Sequence, residues 1–508
     1  MKRAKISALF LTAAVALLLA TCSDGIEKEE FATVSISLGN SEASRVLVWR
    51  GNGSTDIGEI SYHTYELTVI GREMNPIRLT RNGNTLTGSG VPTGTNQELE
   101  IRAYMPRSRL VSIASQLGIS LPGDVFNSPE ILRAFGVSQP VNINAGNNTI
   151  NAPVDLYSAM EVGNWKELEY AVGGGRDGDR VEFIFLKDSM DALYTIPIDR
   201  PIIIGAESDV IINRGANFTG PFFNVVTLYS NTGDMYAGGL YIGTVPEAGE
   251  VNFLNGAITL DGGRTEGLTA TASLITVNGT CIIGRKAILQ NNNNIFDFDS
   301  DGGTTGGGVC IHSGTFTLYG AIKNNSSRFG GGVNMADATF IMEDGAAIED
   351  NSATYGGGGA YVTITSYWND DEFIKAKGGV FNINGGVIRG NVAPSDAGGV
   401  FLTGGTFNMS GGSITGNNCG NASDAGGVTV RGNTIYNYDD NGEPINPPIA
   451  VIKGAFNMTK PAKPGPFESI KNNTGGANGT PNLLIYDDAT FHSDDNKFDI
   501  HANNKNGW

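Results

Sequence analysis

Two short segments bring aromatic rings and carboxylates together. One carries Tyr367, Trp368, Asp370, Asp371 and Glu372, and the other Tyr436, Tyr438, Asp439, Asp440 and Glu443. An aromatic face covers the C–H side of a sugar ring while carboxylates take its hydroxyls, directly or through Ca²⁺. Carbohydrate binding is the chemistry these residue types suit, and Ca²⁺ is the one cofactor they suggest. A third acidic run, Asp297, Asp299 and Asp301, is a weaker Ca²⁺ candidate. The same carboxylates beside a base, Asp370 and Asp371 with Lys375 or Asp439 and Asp440 with Arg431, are also the ingredients of polysaccharide cleavage. The competing reading is of solvated hairpin tips whose rings cover their own stems. The histidines His63, His312, His492 and His501 stand far apart, so no metal or triad constellation forms. Past Cys22 the cysteines number three, Cys281, Cys310 and Cys419. An odd count completes no disulfide framework, and their spacing fits no zinc motif, so buried or free thiols are expected.

What must position these segments is a repeat. A Gly-Gly unit occurs at Gly307-Gly308, Gly331-Gly332, Gly358-Gly359, Gly398-Gly399 and Gly426-Gly427. A Phe unit follows each, at Phe316, Phe340, Phe381, Phe407 and Phe456, and an Ile unit closes it, at Ile322, Ile348, Ile388, Ile414 and Ile470. An earlier copy places Cys281 in the Phe slot and Ile288 in the Ile slot. The period is that of a solenoid, and the alternation within each unit is that of a strand. Period two turns Val309 and Ile311, Val333 and Met335, Val400 and Leu402, Val428 and Val430 inward, together with each Phe. Stacking the copies aligns Asn291, Asn325, Asn351, Asn391, Asn417 and Asn473 into a ladder at one corner. Lys323, Glu349, Arg389 and Lys471 fall at equivalent outward positions.

The two aromatic segments are insertions at one place, between the Gly-Gly strand and the Phe strand. Two copies apart, they leave the same corner ~10 Å from each other along the stack. Tyr361 and Phe401 lie on the strands beside them, facing outward. The repeat resembles the right-handed parallel β-helix repeats of bacterial surface proteins, including polymorphic outer-membrane proteins. That resemblance implies a β-helix over 158–508. Asn164 with Glu167 makes a capping-box-like helix start, and Trp165, Leu168 and Val172 make one apolar stripe, which predicts an N-terminal capping helix. Parallel β-helices also host pectate lyases and polygalacturonases, but the Asn-Thr-Asp, Gly-His-Gly and Arg-Ile-Lys motifs of the latter are not present here.

Ahead of the repeat, 31–157 alternates at Thr33 to Leu38, Tyr65 to Ile70 and Leu99 to Tyr104, as a small β-sandwich does. Between Ser108 and Phe135 the pattern becomes helical, with Leu110, Ile113 and Leu117 on one face followed by Pro129-Glu130-Ile131-Leu132-Arg133, and predicts a helical insertion. This part resembles the N-terminal sandwich modules of spirochaete-type surface lipoproteins. Residues 1–21 have a basic start, Lys2, Arg3 and Lys5, and an apolar stretch too short to span a bilayer permanently. They end Leu19-Ala20-Thr21-Cys22, which resembles a bacterial lipobox and implies lipidation of Cys22. Residues 22–30 are then a polar tether. Removing the leader takes away three cations and moves the formal net charge from −18 to −21.

Composition agrees. With 52 acidic against 34 basic residues the chain lacks the basic face that nucleic acid requires. Its 71 glycines have no Gly-X-Y period, and 40% apolar content is too high for a disordered chain. The expectation is an all-β protein: a right-handed parallel β-helix preceded by a β-sandwich, lipid-anchored at the outer membrane or cell surface. Its leading function is adhesion or glycan binding without catalysis, toward a polysaccharide or a host or cell-surface ligand. The rivals are a polysaccharide lyase or glycoside hydrolase, and a purely structural spacer.

Overall fold

The structure is a computed structural model. It describes residues 30–39, 47–50, 56–60, 64–108, 128–154, 156–173, 183–229, 235–243, 256–295, 306–369, 372–420, 425–438, 444–452, 454–458, 473–475, 483–485 and 489–493. Cys22 and its leader, Leu110, Ile113, Leu117, Lys471 and the acidic run 297–301 lie outside these. The chain divides into two units. Met1–Val46, Ser61–Tyr104 and Ala134–Leu156 form the first; Leu47–Ile60, Met105–Arg133 and Tyr157–Trp508 form the second.

In the first unit Phe31–Leu38 lies between Thr85–Pro92, antiparallel, and Gly146–Val154, parallel. Ile77–Asn82 pairs with Thr85–Pro92 and with Thr64–Val69, which also pairs with Leu99–Pro106. Val34, Ile36 and Leu67 are fully buried while their neighbours are partly exposed, the outcome their alternation predicts. One expectation fails. Glu130–Val137 is a strand, with six consecutive buried residues. A short apolar run buried on both sides has no period, so spacing alone does not separate it from a helix.

The second unit is built from long parallel series of strands, each strand hydrogen-bonded to its counterpart in the next copy of the repeat. The Gly-Gly series starts at Ile196–Ile198 and Phe223–Val225, then passes through residues 275–277 and 309–311. It continues through Val333–Ala336, Ala360–Asn369, Val400–Thr403 and Val428–Arg431 to Leu483–Ile485. The Phe series starts at Tyr157–Val162, Phe183–Leu186, Pro201–Ala206 and Gly239–Ile242. After residues 280–283 and 314–318 it runs through Ala338–Met342, Val380–Ile383, Thr406–Met409 and Gly454–Met458 to Ala489–Ser493. Two copies join the series directly, because Ile275–Ile283 and Val309–Leu318 each run through both. The Ile series is an eight-stranded parallel sheet from Met190–Ala192 to Ser413–Thr415. A fourth, shorter series runs from Ser326–Phe329 to Thr474–Gly475. The architecture is all-β and dominated by parallel sheet.

The core forms in columns. Phe316, Phe340, Phe381, Phe407 and Phe456 are fully buried and stack with centroids 5.3, 4.5, 5.5 and 5.1 Å apart. Cys281 pairs with Phe316, as expected for the Phe slot. The Ile slot of that copy belongs to Leu289, which pairs with Ile322, and not to Ile288. Cys281, Cys310 and Cys419 are buried and form no disulfide, and burial raises the Cys281 pKa far above the ordinary thiol range. Where copies meet at the Gly-Gly turns the backbones nearly touch. A Cβ on Gly358 would stand 2.5 Å from the Gly398 carbonyl oxygen, and one on Gly359 2.7 Å from that of Gly399. Glycine at these turns is a packing requirement.

The asparagine corner is a continuous ladder, but its first member is Asn292, not Asn291. Asn291 takes a left-handed φ of 57° and bonds to Asp261, whereas Asn292 is fully buried. From there each backbone N–H donates to the side-chain oxygen of the next member: Asn292 to Asn325, then Asn351, Asn391, Asn417 and Asn473, at 2.9–3.0 Å. Each Nδ2 from Asn325 to Asn417 adds a bond to the same oxygen, and a second to a carbonyl of the preceding Ile strand. At the N-terminal end the side chain of Arg214 completes the ladder, its Nη2 donating to Asn292 Oδ1 at 2.9 Å.

The helix Trp165–Gly173 packs against the first strands, Tyr157–Val162, Met190–Ala192 and Ile196–Ile198. Trp165, Leu168 and Val172 are buried, as their spacing predicts. Asn164 Oδ1 accepts from the N–H groups of Lys166 and Glu167, and Glu167 Oε2 accepts from Gly163 N–H at 2.6 Å. At the other end Arg200 Nη2 donates to the Ala171 and Val172 carbonyls. Replacing the cap, Asn164→Ala, is expected to cost ~1 kcal/mol, read as a lowered urea midpoint.

Candidate functional site

The two insertions are antiparallel hairpins. Ala360–Asn369 folds back on Glu372–Gly378, pairing from Ile364 with Gly378 to Asn369 with Glu372. Asn433–Tyr438 folds back on Pro444–Ile452, pairing from Asn433 with Ile452 to Tyr438 with Pro444. Their roots, Ala360 and Val428, are two strands apart in the Gly-Gly series, with Val400 between, which sets them ~10 Å apart. The return strands Glu372–Gly378 and Pro444–Ile452 approach to within 8 Å between Cα atoms. Tyr367, Trp368, Tyr436 and Tyr438 therefore stand on neighbouring hairpins. Asp370, Asp371, Asp439 and Asp440, at the tips, lie outside the described residues, as do the Ca²⁺ candidates Asp297, Asp299 and Asp301. Among the described residues no three Asp, Glu, His or Cys side chains are grouped to hold a metal ion.

Tyr361 and Phe401 do come together, 5.2 Å between centroids, as adjacent outward residues of the Gly-Gly series. They belong to a longer column. Phe329 stacks on Tyr361 at 4.9 Å, and Tyr355 leans on Phe329 at 4.7 Å. The Arg431 guanidinium lies 5.6 Å from the Phe401 ring centre and bonds Asp396 at 2.8 Å. Arg328 lies 5.7 Å from the ring of Phe329. The Tyr361 hydroxyl is 3.2 Å from Thr403 Oγ1, which donates to Thr363 Oγ1 at 3.1 Å.

This geometry divides the roles. Phe401 is 4% exposed, so it holds the column and offers no face to a ligand. Tyr355, at 47%, is the open ring. Arg431, drawn from the sequence as a base beside Asp439 and Asp440, is engaged by Asp396 and Phe401. Sequence reasoning missed Phe329 and Tyr355. Their signal was an aromatic residue directly before a run of glycines, at Gly330 and Gly356.

Elsewhere in this unit a cleft of about 250 Å³ opens at the start of the helix, lined by Glu130, Glu161, Glu167, Lys187 and Asp188 among others. Lys187 pairs with Glu161 at 2.6 Å, and Glu167 is held by the Gly163 N–H, so its charges serve one another. No helix among the described residues is long and apolar enough to cross a membrane. Comparison with protein families, with curated proteins and with solved structures finds no match.

Proposed function

We propose that this chain is a cell-surface lipoprotein, anchored through Cys22, that binds carbohydrate at the hairpin corner and does no chemistry on it. In this reading 158–508 coils as a right-handed parallel β-helix, and a small β-sandwich lies between it and Cys22 in the sequence. The parallel series with in-register Phe and Asn columns support the coil. One observation carries the binding role: two hairpins bearing Tyr367 and Trp368, and Tyr436 and Tyr438, spring from one corner and lie side by side. Strand pairing fixes the backbone that carries these residues, which lowers the ordering cost of binding at a shallow sugar site. The acidic tips then take hydroxyls, with Ca²⁺ as an optional bridge.

A glycan array probed with the intact chain, with and without Ca²⁺, tests this. Trp368→Ala/Tyr438→Ala is expected to weaken the positive glycans at least tenfold, about 1.4 kcal/mol, with the fold intact by circular dichroism. Silence across the array, or binding indifferent to both substitutions, would overturn the corner as the site. Mass spectrometry of the mature N-terminus tests the anchor: an acylated Cys22 is expected, and an unmodified terminus elsewhere rejects it.

A further inference from the structure

We propose that the outward face of the Phe series, beside the hairpin roots, seats an uncharged, extended polysaccharide chain lying along the stacking direction. The inference rests on the reading above in its ligand class alone, and adds the kind of carbohydrate and its direction.

The register defines the surface. On either side of the buried Phe column stand two outward columns. One is Thr280, Thr315, Thr339, Val380, Thr406 and Ala455; the other is Ile282, Thr317, Ile341, Asn382, Asn408 and Asn457. Neither contains Asp, Glu, Lys or Arg, in a chain with 52 acidic and 34 basic residues. The Ile series is the contrast, with Lys323, Glu349 and Arg389 in one outward column and Arg389 paired to Glu349 at 2.9 Å. From Thr339 to Asn457 the side chains of the two columns are partly exposed. At the N-terminal end Ile282 and Thr317 are 8% exposed, and Ile282 packs with Tyr319 and Tyr241, which closes the track.

The polar groups on this face are aligned. Asn457 Nδ2 donates to Asn408 Oδ1 at 2.7 Å, and Asn408 Nδ2 donates to Asn382 Oδ1 at 2.8 Å. Each bond uses one of two N–H groups and one of two lone pairs, so every amide keeps capacity for a ligand. These groups recur every ~4.8 Å, the strand spacing. Between them the methyl groups of Thr339, Val380, Thr406 and Ala455 supply small apolar patches. A polymer that repeats hydroxyls and C–H faces along its length matches such a row; a compact ligand uses only one step of it.

Charge and edges select the occupant. An anionic polymer meets no cation on the track and a net charge of −18. A protein strand finds no free edge, because the strands from Ala338–Met342 to Gly454–Met458 are hydrogen-bonded on both sides. On the border Lys377 pairs with Asp337, and Glu343 accepts from the Asn384 amide at 2.8 Å. Both hairpins return to the chain at this border, at Gly378 just before Val380 and at Ile452 just before Gly454–Met458, so their stems begin where the track lies.

The test is retention of the intact chain on insoluble β-1,4-glucan, β-1,3-glucan and chitin, with soluble polygalacturonate in affinity electrophoresis as the anionic control. Retention on at least one neutral polymer and none by polygalacturonate is expected. Thr339→Lys/Thr406→Lys should cut retention at least tenfold, while Thr339→Val/Thr406→Val, which keeps the methyls and adds no charge, keeps it. No retention on any neutral polymer overturns the proposal, as does retention that survives the lysines. A glycan array positive for short sugars beside a negative polymer test removes the track and leaves the corner. Retention lost with the lysines but not with Trp368→Ala/Tyr438→Ala does the reverse.

Discussion

Asn391→Ala should destabilise the second unit by about 3–5 kcal/mol, far more than the same change at Asn408 on the outer face. Asn391 is fully buried and makes four side-chain bonds. Its Oδ1 accepts from the N–H and Nδ2 of Asn351, both at 3.0 Å, and its Nδ2 donates to the Ile348 carbonyl and Asn417 Oδ1, both at 2.9 Å. Alanine leaves the Asn351 N–H and one hydrogen of its Nδ2 without their acceptor, and takes one donor each from Ile348 and Asn417. A buried group stranded in this way costs ~1–3 kcal/mol, where a made bond is worth only ~0.5–1.5 net. Asn408 is part-exposed, so water replaces what its alanine loses, and ~0.5–1 kcal/mol is expected there. Asn391→Asp keeps the acceptor but points a carboxylate at two acceptors in a buried site. That raises its folded pKa, so the variant should be most stable below the ordinary carboxylate range and lose stability as the pH rises to neutrality. Urea unfolding at pH 4 and pH 7 reads both effects. A loss below ~1 kcal/mol for Asn391→Ala would show that water enters the corner and rescues the orphaned groups.

Most of this architecture was legible because the columns that hold it together are written once per repeat. Each Phe lands in register with the next, and so do the inward Val, Ile and Leu residues of the Gly-Gly strands. Position along a strand fixes facing when the period is two. The failures fall where that rule has no grip. Around Cys281 the turn leading to the next strand differs in length, and Ile288 and Leu289 are both apolar. Counting from the Phe slot chose the wrong one, and the error carried to Asn291 in place of Asn292. At Glu130–Val137 burial on both sides erased the period altogether. The corner was legible as two insertions at one point. Spacing did not reveal the column beside them, because Phe329 and Tyr355 reach it from strands of the short fourth series and Phe401 is covered by it. Arg214 was invisible for another reason. Its importance comes from the end of a ladder whose last side chain lies far from it in sequence, and a single arginine before a glycine carries no local signature.

Arg214 carries the second large expected effect, and the polarity of the ladder explains it. Every amide oxygen in the corner points toward the N-terminal copy, so the column exposes an unmet acceptor, Asn292 Oδ1, at that end. Arg214 meets it, donates also to the Phe218 and Gly220 carbonyls at 3.1 and 2.8 Å, and lies 5.4 and 5.0 Å from the ring centres of Phe218 and Phe222. It is 3% exposed, and burial pushes its pKa down to about 10, so it stays cationic at neutral pH at a cost in solvation. Arg214→Met removes that cost, several kcal/mol for a desolvated ion, but strands the buried Asn292 oxygen at ~1–3 kcal/mol, takes a donor from the part-buried Phe218 and Gly220 carbonyls, and forfeits the ring contacts. The balance favours arginine, and a net loss of about 2–4 kcal/mol is expected, with Arg214→Lys in between because one ammonium does not span all three acceptors. The decisive measurement is a double-mutant cycle with Asn292→Ala. If the guanidinium stabilises by terminating the ladder, the two losses will fall short of adding, by at least ~0.5 kcal/mol, since Asn292→Ala removes the oxygen that Arg214 serves. Additive losses would mean that Arg214 acts through the Phe218 and Gly220 carbonyls alone, and that the ladder needs no charge at its end.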